Sequence, residues 1–433
     1  MSLPNEFLLN DLKSSAAGAA TYVSRVTPES GTSFVGGNIL EFHIAAGRPN
    51  EWLRPSETSF TFTVTNDGGD DAANNAEFSG GAWSVINKIS IFQGATLIEE
   101  IQDYATLHQL LYNQTASAEY ASGISAQIHG TNQLTTAMTS AELLKGATVE
   151  ADGGQYHAAV QLVSCIVGTL SEKAIPIGYM SDAIRVQIEL NTTAQAFVST
   201  GAPVIKLTNC ELQCQIVKLD PAVDAELMQA NDGVLSWHTS TFRHYANSIQ
   251  NGEKFAVISL PMRFSSLRYA MHLLRPAGNF NVLTKRTIDA REKARLKQFV
   301  MRRGHEMIPQ RPVEVSSENT SQVILELLRT AGKLETYGAD HGLMFTNKAI
   351  FTADDVSANG AQGQFAFAID MNAFSSSLDD LQNSGANLLS TPLSVELSFE
   401  DAGTPHACRL TSYASFDCLI ILDLSTGLLS TRF

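Results

Sequence analysis

The residue types that most often do chemistry in proteins are present in this chain, but they are not spaced as catalysis or metal binding requires. His305-Glu306 begins like a zinc-protease motif, yet no second histidine follows at the required distance. The carboxylates Glu99 and Glu100 are adjacent, so on a strand they would point to opposite faces. The sequence also lacks a phosphate-binding loop, a dinucleotide-binding glycine motif and a nucleophile elbow. We therefore predict no catalytic, cofactor-binding or metal-binding residues, and no enzymatic activity.

Three further groups of residues indicate structure rather than chemistry. The acidic segment 67–75 resembles a calcium loop only in composition, because its spacing differs from that of the twelve-residue loop. Cys210 and Cys214 are four apart on a predicted strand, about 13 Å from each other, which is too far for a disulfide. We expect the five cysteines to be reduced and buried. His238 and His244 flank an aromatic stretch, where packed or hydrogen-bonded histidines are expected.

One charged segment is a candidate for binding a partner. Residues 285–303 hold eight basic and two acidic side chains, a local charge of +6 in a chain of net charge −15. Asp289 and Glu292 resemble a capping box and Gly304 a helix stop, so the pattern predicts a helix over 290–303. Its charge would either complement the helix dipole or attract an acidic neighbour, lipid head groups or a packaged genome. The candidate patch comprises Arg286, Arg291, Lys293, Arg295, Lys297, Arg302 and Arg303.

The composition is that of a folded protein with few charges. Of the 433 residues, 44% are hydrophobic and 17% charged, which excludes a disordered chain. The acidic balance argues against a general nucleic-acid-binding protein, because phosphate contacts need lysine and arginine. We find no apolar run of about 18 residues that would span a membrane. The first 15 residues lack the features of a signal peptide.

Alternation of apolar and polar residues makes strands the main predicted element. Residues 58–66 place phenylalanines and a valine on one face and threonines on the other. The period changes at residues 104–112, which predict a short helix with Asp103 as its N-cap. Residues 114–155 are predicted to be a long exposed insertion with a short helix at 141–145. Residues 1–20 are predicted to be an N-terminal arm.

The chain repeats one pattern near its middle and again towards residue 423. Residues 206–220 and 409–423 align without a gap and share leucine, threonine and a final Leu-Asp pair. Upstream of each lies an alternating segment, at residues 184–190 and 393–399. The repeat predicts two β units of similar size in tandem. Asp220 and Pro221 predict the start of a capped helix that joins the two units.

Four stretches carry a resemblance to a known family, and their order and spacing are its most specific features. They are residues 87–111, 177–190, 207–220 leading into the joining helix, and 258–274. In these stretches the chain resembles the double jelly-roll major capsid proteins of the tectivirus–adenovirus lineage, including those of polinton-like and other eukaryotic DNA viruses. The resemblance covers roughly residues 20–433. The insertion at 114–155 and the basic segment at 290–303 are not carried over from the family.

The resemblance implies an all-β fold with a few short helices, built as two tandem eight-stranded jelly rolls. The implied division is an arm at residues 1–20, jelly roll 1 at 21–220, a linker helix at 221–235 and jelly roll 2 at 236–433. It also implies a homotrimer of six-sided, pseudo-hexameric outline that tiles an icosahedral virus shell.

The same resemblance implies partners and a location. The partners would be further trimers, minor and penton capsid proteins, and an internal lipid membrane or the packaged DNA genome. The chain would assemble inside the host cell and reside in the virion. If the basic segment binds the membrane, reversing the charge of Arg291, Arg295 and Arg302 should impair particle assembly without unfolding the trimer.

Two other functions fit a tandem β protein. One is a receptor-binding or carbohydrate-binding surface protein, which would expose aromatic side chains in a groove at the loop ends. Trp83 and Trp237 are predicted core residues, and Trp52 is the freer candidate for such a groove. The other is a β-sandwich hydrolase, for which the sequence offers no convergent acidic or histidine residues.

Overall fold

The structure is a computed structural model, and it describes residues 19–116, 120, 123–131, 146–171, 173–229, 233–316, 320–330, 348–372 and 385–433. Strands dominate these residues, as the alternating sequence predicts. No helix within them has the length and apolar character needed to cross a membrane.

Residues 19–219 form a β-sandwich. Its strands are β1 (Ala19–Val26), β2 (Ser33–Phe34), β3 (Ile39–Ile44), β4 (Glu51–Asn66), β5 (Ala76–Phe78), β6 (Ile86–Gln93), β7 (Thr96–Gln102), β8 (Thr148–Val149), β9 (Gln155–Gln161), β10 (Ile184–Leu190), β11 (Phe197–Val198) and β12 (Ile205–Leu219). The two main antiparallel sheets have the orders β1-β12-β4-β9 and β3-β10-β6-β7. Their inner faces meet where Phe42 of β3 packs edge-on against Phe60 of β4, with ring centroids 5.9 Å apart.

Residues 234–432 form a second sandwich of the same kind. Its strands are β13 (Val234–Ile249), β14 (Phe255–Leu260), β15 (Leu267–Pro276), β16 (Ala290–Arg291), β17 (Leu296–Arg303), β18 (Glu306–Glu314), β19 (Gly363–Gln364), β20 (Phe367–Asp370), β21 (Leu393–Phe399), β22 (Cys408–Asp423) and β23 (Leu428–Arg432). The main sheets have the orders β13-β22-β15-β20 and β14-β21-β17-β18. Phe299 and Phe367 pack between these two sheets, with ring centroids 4.5 Å apart.

Short helices connect the strands. Within the described residues they are α1 (Tyr104–Thr115), α2 (Ile124–Ile128), α3 (Thr193–Ala196), α4 (Pro221–Gln229), α5 (Ser321–Thr330) and α6 (Lys348–Phe351). The helix predicted at 104–112 is confirmed as α1. The joining helix begins where the sequence predicts, because Asp220 accepts a hydrogen bond from the backbone N–H of Ala222 at 2.9 Å.

The repeated segments occupy equivalent places in the two sandwiches. The strands β12 and β22 lie second in one sheet of each sandwich, and β10 and β21 lie second in the other. Strand β12 alternates buried and half-buried side chains along most of its length, as expected for a strand with one face on the core. The internal repeat of the sequence is therefore a repeat of the three-dimensional architecture.

The helix predicted over 290–303 is wrong, because this segment forms β16, a turn and β17. Ala294 and Arg295 have φ angles of 52° and 59°, which a right-handed helix does not contain. Strand β17 pairs with both β21 and β18. The acidic residues that resembled a capping box make long-range contacts instead. Local helix signals were thus outweighed by a central position in a sheet.

Three smaller predictions differ from the structure or fall outside the residues that it describes. Asp103 has a left-handed backbone and its carboxylate does not cap the backbone of α1. The short helix predicted at 141–145, and all of the predicted arm before residue 19, lie outside the described residues.

Candidate functional site: the seam between the two sandwiches

The two sandwiches meet along a polar interface, which we call the seam, and Arg275 lies at its centre. Arg275 belongs to β15 of the second sandwich and is only 1% exposed. Its guanidinium pairs with Asp103 and donates to Thr106 at 2.8 Å, both in the first sandwich. It also donates to Thr411 of β22 at 2.9 Å. One cation thus joins the start of α1 to two strands of the other sandwich.

The electrostatics of Asp103 follow from this pairing. Burial alone would raise the pKa of Asp103, but the charge of Arg275 and the nearby His244 outweigh it and lower that pKa below its usual range. The backbone carbonyl of Asp103 also accepts a hydrogen bond from the Tyr413 hydroxyl at 2.8 Å. Asp103 is therefore ionised at neutral pH and attached to the second sandwich through both its side chain and its main chain.

A second buried carboxylate crosses the seam at Glu99 of β7. It accepts hydrogen bonds from Ser164, from the backbone N–H of Cys165 at 3.1 Å, and from Thr241 of β13. Burial raises the pKa of Glu99, against the lowering effect of these donors. Glu99 is buried whereas Glu100 is half-buried, which agrees with the prediction that the two carboxylates point to opposite faces of the strand.

A third group of contacts involves the segment before β16. Arg286 pairs with Glu77 of β5 and donates to Asp289 at 2.7 Å. Ser79 of the first sandwich donates to Asp289 at 3.1 Å. The backbone N–H of Ser199 donates to the carbonyl of Leu283 at 3.0 Å. Charged side chains and main chain therefore both hold this segment against the first sandwich.

The hairpin of β22 and β23 makes the fourth contact. Gln93 at the end of β6 donates to the carbonyl of Gly427 at 2.7 Å and accepts from the backbone N–H of Leu429. The backbone N–H of Ser181 also donates to Gly427, at 3.0 Å. Because a glutamine side chain completes both of its hydrogen bonds on main-chain atoms, this contact fixes the hairpin at one register.

A cavity of about 290 Å³ opens beside Arg275. The guanidiniums of Arg275 and Arg409 each lie 4.8 Å from the ring centroid of Phe280. Lys88 and Glu189, also in its lining, form an ion pair at 3.1 Å. Its charges are of both signs and already face one another, so we attribute the cavity to imperfect packing of the seam and assign it no ligand.

The candidate basic patch is not a single surface. Arg286, Arg291 and Lys293 are buried within the chain, and burial lowers the pKa of Arg291 to about 10. Reversing the charge of Arg291 is therefore expected to destabilise the chain rather than to act on assembly alone, contrary to the expectation from the sequence. Arg295 is half-buried and Lys297 exposed. Arg302 and Arg303 are half-buried and pair with Glu396 and Glu306 respectively.

The three tryptophans are buried or hydrogen-bonded within the chain. Trp83 is fully buried, stacks on His108 at 4.5 Å and donates to Gln109 at 2.9 Å. Trp237 is buried. Trp52, the freer candidate from the sequence, is half-buried and donates to Asp224 of α4 at 2.8 Å. These positions do not form the exposed aromatic groove that a carbohydrate-binding surface needs.

Buried histidines predict how the stability of the chain depends on pH. Burial lowers the pKa of His272 to about 3 from about 6.5 in an unfolded chain. Its Nδ1 lies 2.7 Å from the hydroxyl of Ser412 and its ring stacks on Phe367. Below pH 6.5 the unfolded chain binds a proton that the folded chain does not, so the free energy of unfolding falls as the pH drops towards 3.

Replacing this histidine should flatten that dependence. For His272→Gln we expect the slope of unfolding free energy against pH to fall by about 1.4 kcal/mol per pH unit between pH 6 and pH 4. Urea denaturation at several pH values measures the slope. His305→Gln, at an exposed position, is the matched control. An unchanged slope in His272→Gln would contradict the prediction.

Comparisons with solved structures decide the fold. The chain matches a chain of the Sputnik virophage structure with a TM-score of 0.61 and 9% identity, over 100% of this chain and 92% of that one. It matches the mavirus major capsid protein with a TM-score of 0.55 and 10% identity, over 100% and 95%. It also matches the Faustovirus major capsid protein, with a TM-score of 0.54 and 9% identity, over 95% of this chain and 92% of that one. The chain is a double jelly roll.

The comparison confirms the predicted fold class and the resemblance to capsid proteins of this fold. No protein-family model and no curated protein sequence matches the chain. At 8–10% identity, the similarity to these capsid proteins is one of architecture. In this double jelly roll the seam joins the two units, and its residues on the side of the first sandwich come from β5, β6, β7, α1 and connecting loops.

Proposed function

We propose that the chain is a major capsid protein, three copies of which form a pseudo-hexameric capsomer that tiles an icosahedral virus shell. The observation that supports this most strongly is the match of the double jelly roll, along 92–100% of both chains, to solved structures of virus particles and major capsid proteins. We propose a structural role rather than an enzymatic one.

The seam suits such a role. A trimer of a two-unit chain presents six similar edges only if the two units keep a fixed relative orientation. Ion pairs with a buried arginine favour that orientation, because displacing the half-buried acidic partner would leave the arginine charge uncompensated. Asp103–Arg275 and Glu77–Arg286 are two such pairs.

Exposed apolar side chains on an edge strand are our candidates for contacts between copies. Phe255 and Val257 of β14 are 51% and 57% exposed and lie on the same face of the strand. Among the described residues, strand β14 ends its sheet and pairs with β21. Large apolar residues are uncommon on a free edge, because such an edge invites association.

Other partners follow from the same proposal. We propose contacts between trimers and with minor and penton capsid proteins, and residence in the virion after assembly in the host cell. An internal lipid membrane or the packaged DNA genome would face the inner surface of such a shell. Of the basic patch, the residues that remain outside the buried core are Arg295, Lys297, Arg302 and Arg303.

The proposal predicts a compact trimer. Size-exclusion chromatography with light scattering should give three times the 46.7 kDa mass of the chain, and negative-stain microscopy should show a six-sided outline. A monomer that binds glycans would contradict the proposal and favour a receptor-binding or carbohydrate-binding surface protein.

A double variant tests the edge strand separately. Phe255→Asp with Val257→Asp should weaken association by about 2–4 kcal/mol, as for central residues of an interface. Its melting temperature at a concentration where the wild type is monomeric should be unchanged, since both side chains are exposed. Sedimentation equilibrium measures the association constant. Trimers of wild-type affinity would exclude this strand from the interface without affecting the trimer prediction itself.

A further inference from the structure

The second sandwich brings a carboxylate, an imidazole and a thiol together at one point. Glu292 follows β16, Cys408 begins β22, and His406 lies two residues before it. The Glu292 carboxylate lies 2.7 Å from Nε2 of His406 and 3.3 Å from Sγ of Cys408. The three potential ligand atoms all lie within 4.8 Å of one another. Glu292 and Cys408 are fully buried, and His406 is half-buried.

We propose that Glu292, His406 and Cys408 bind a divalent cation that favours nitrogen and sulfur ligands, with Zn²⁺ the best fit. Zinc takes this ligand set, with bonds of about 2.0–2.2 Å to nitrogen and oxygen and about 2.3 Å to sulfur. Tetrahedral geometry then puts the oxygen about 3.4 Å from the nitrogen and about 3.6 Å from the sulfur. The two distances from the Glu292 oxygen, 2.7 and 3.3 Å, would each need to lengthen by less than about 1 Å.

Residues around the three ligands, Asp355 and Val356, also favour a metal site. Asp355 places its carboxylate 3.7 Å from Nδ1 of His406, on the side away from Glu292. Zinc-binding histidines usually donate their other ring N–H to a carboxylate, a backbone carbonyl or water, and this contact orients the ring. The backbone N–H of Val356 donates to the second oxygen of Glu292 at 3.1 Å, leaving the first oxygen for the metal. Because His406 is partly exposed, solvent can supply the fourth ligand.

The site would fasten three distant segments of the second sandwich. Glu292 pairs with Leu274 of β15 through an isolated bridge, Asp355 and Val356 lie between α6 and β19, and Cys408 belongs to β22. Glu292 lies 114 and 116 residues before His406 and Cys408, so no local spacing motif joins all three ligands in the sequence. The inference departs from the prediction that the chain has no metal ligands, and it does not depend on the proposed capsid function.

Cobalt substitution tests the site directly. The purified chain, dialysed against a chelator, should bind one Co²⁺ per chain, with visible bands of tetrahedral cobalt and a thiolate charge-transfer band in the near ultraviolet. Cys408→Ser should abolish the charge-transfer band, whereas Cys418→Ser, on the same strand, should keep it. Asp355→Asn should lower the affinity about 10–100-fold while leaving the stoichiometry at one.

His406→Gln guards against misfolding of the buried variants, because its side chain is partly exposed and its replacement should leave the far-ultraviolet circular dichroism unchanged. It should nevertheless reduce Co²⁺ and Zn²⁺ binding at least 100-fold. Absence of stoichiometric cobalt in the wild type, or a charge-transfer band that survives Cys408→Ser, would overturn the proposal. The contact between Glu292 and His406 would then be a structural hydrogen bond only.

Discussion

Replacing Arg275 by methionine should lower the free energy of unfolding by about 3–5 kcal/mol, the usual effect of removing one member of a buried ion pair. Methionine keeps much of the side-chain volume but leaves the Asp103 carboxylate buried without its cation. It also removes the donors to Thr106 and Thr411. Urea denaturation measures the loss, and hydrogen exchange should show reduced protection in α1.

Two comparison variants separate the ion pair from the general effect of losing an arginine. Arg268 is half-buried and lies 3.9 Å from Asp417, so Arg268→Met should cost less than about 1 kcal/mol. Adding Asp103→Asn to Arg275→Met should recover at least about 1 kcal/mol, because it removes the uncompensated charge. Equal losses for Arg275→Met and Arg268→Met would show that the seam does not depend on this pair.

Trp83→Ala should lower the free energy of unfolding by a similar amount, about 3–5 kcal/mol, because it leaves a cavity at a fully buried site. The indole stacks on His108 and lies 4.6 Å from Tyr112, so it holds α1 against the first sandwich. Its loss also leaves the Gln109 oxygen without the indole donor. The measurement is again the free energy of unfolding in urea.

Trp83→Phe separates the contribution of ring packing from that of the indole hydrogen bond. Phenylalanine keeps a ring between the same neighbours but lacks the N–H, so we expect a loss of about 1–3 kcal/mol. Leu97→Ala, at an exposed site on β7, should change the stability by less than about 0.5 kcal/mol. A loss in Trp83→Ala no larger than that in Leu97→Ala would mean that α1 is held in place by other contacts.

Much of the fold could be predicted from the sequence because two signals agreed. Alternation located several of the strands, such as β10 and β21, since each has one face on a core. The repeat of β12 and β22 then showed that the strands belong to two similar units. The joining helix could be predicted because Asp220 and Pro221 are local signals that tertiary packing did not override.

The seam could not be predicted, since its partners are far apart in the sequence. Asp103 and Arg275 are 172 residues apart, and no local pattern relates them. The basic segment was wrongly predicted to be a surface patch for the same reason. Its arginines were predicted to be surface charges, but one of the two acidic partners of Arg286 is Glu77, 209 residues away. Local residues can indicate that a segment carries charge, whereas the identity of the counter-charge depends on the complete fold.

The position of β22 has a consequence for how the protein is made. This strand lies between β13 and β15 and pairs with residues from both, yet it is synthesised after them. A nascent chain therefore leaves the ribosome with two long strands that lack their shared neighbour, and their free edges are open to pairing with other chains. Until residues 408–423 emerge, neither the second sandwich nor the contact of Gly427 with the first can close. Completion of the second sandwich therefore waits for residues 408–423, and the unpaired edges of β13 and β15 stay exposed while the roughly 130 residues between β15 and β22 are synthesised.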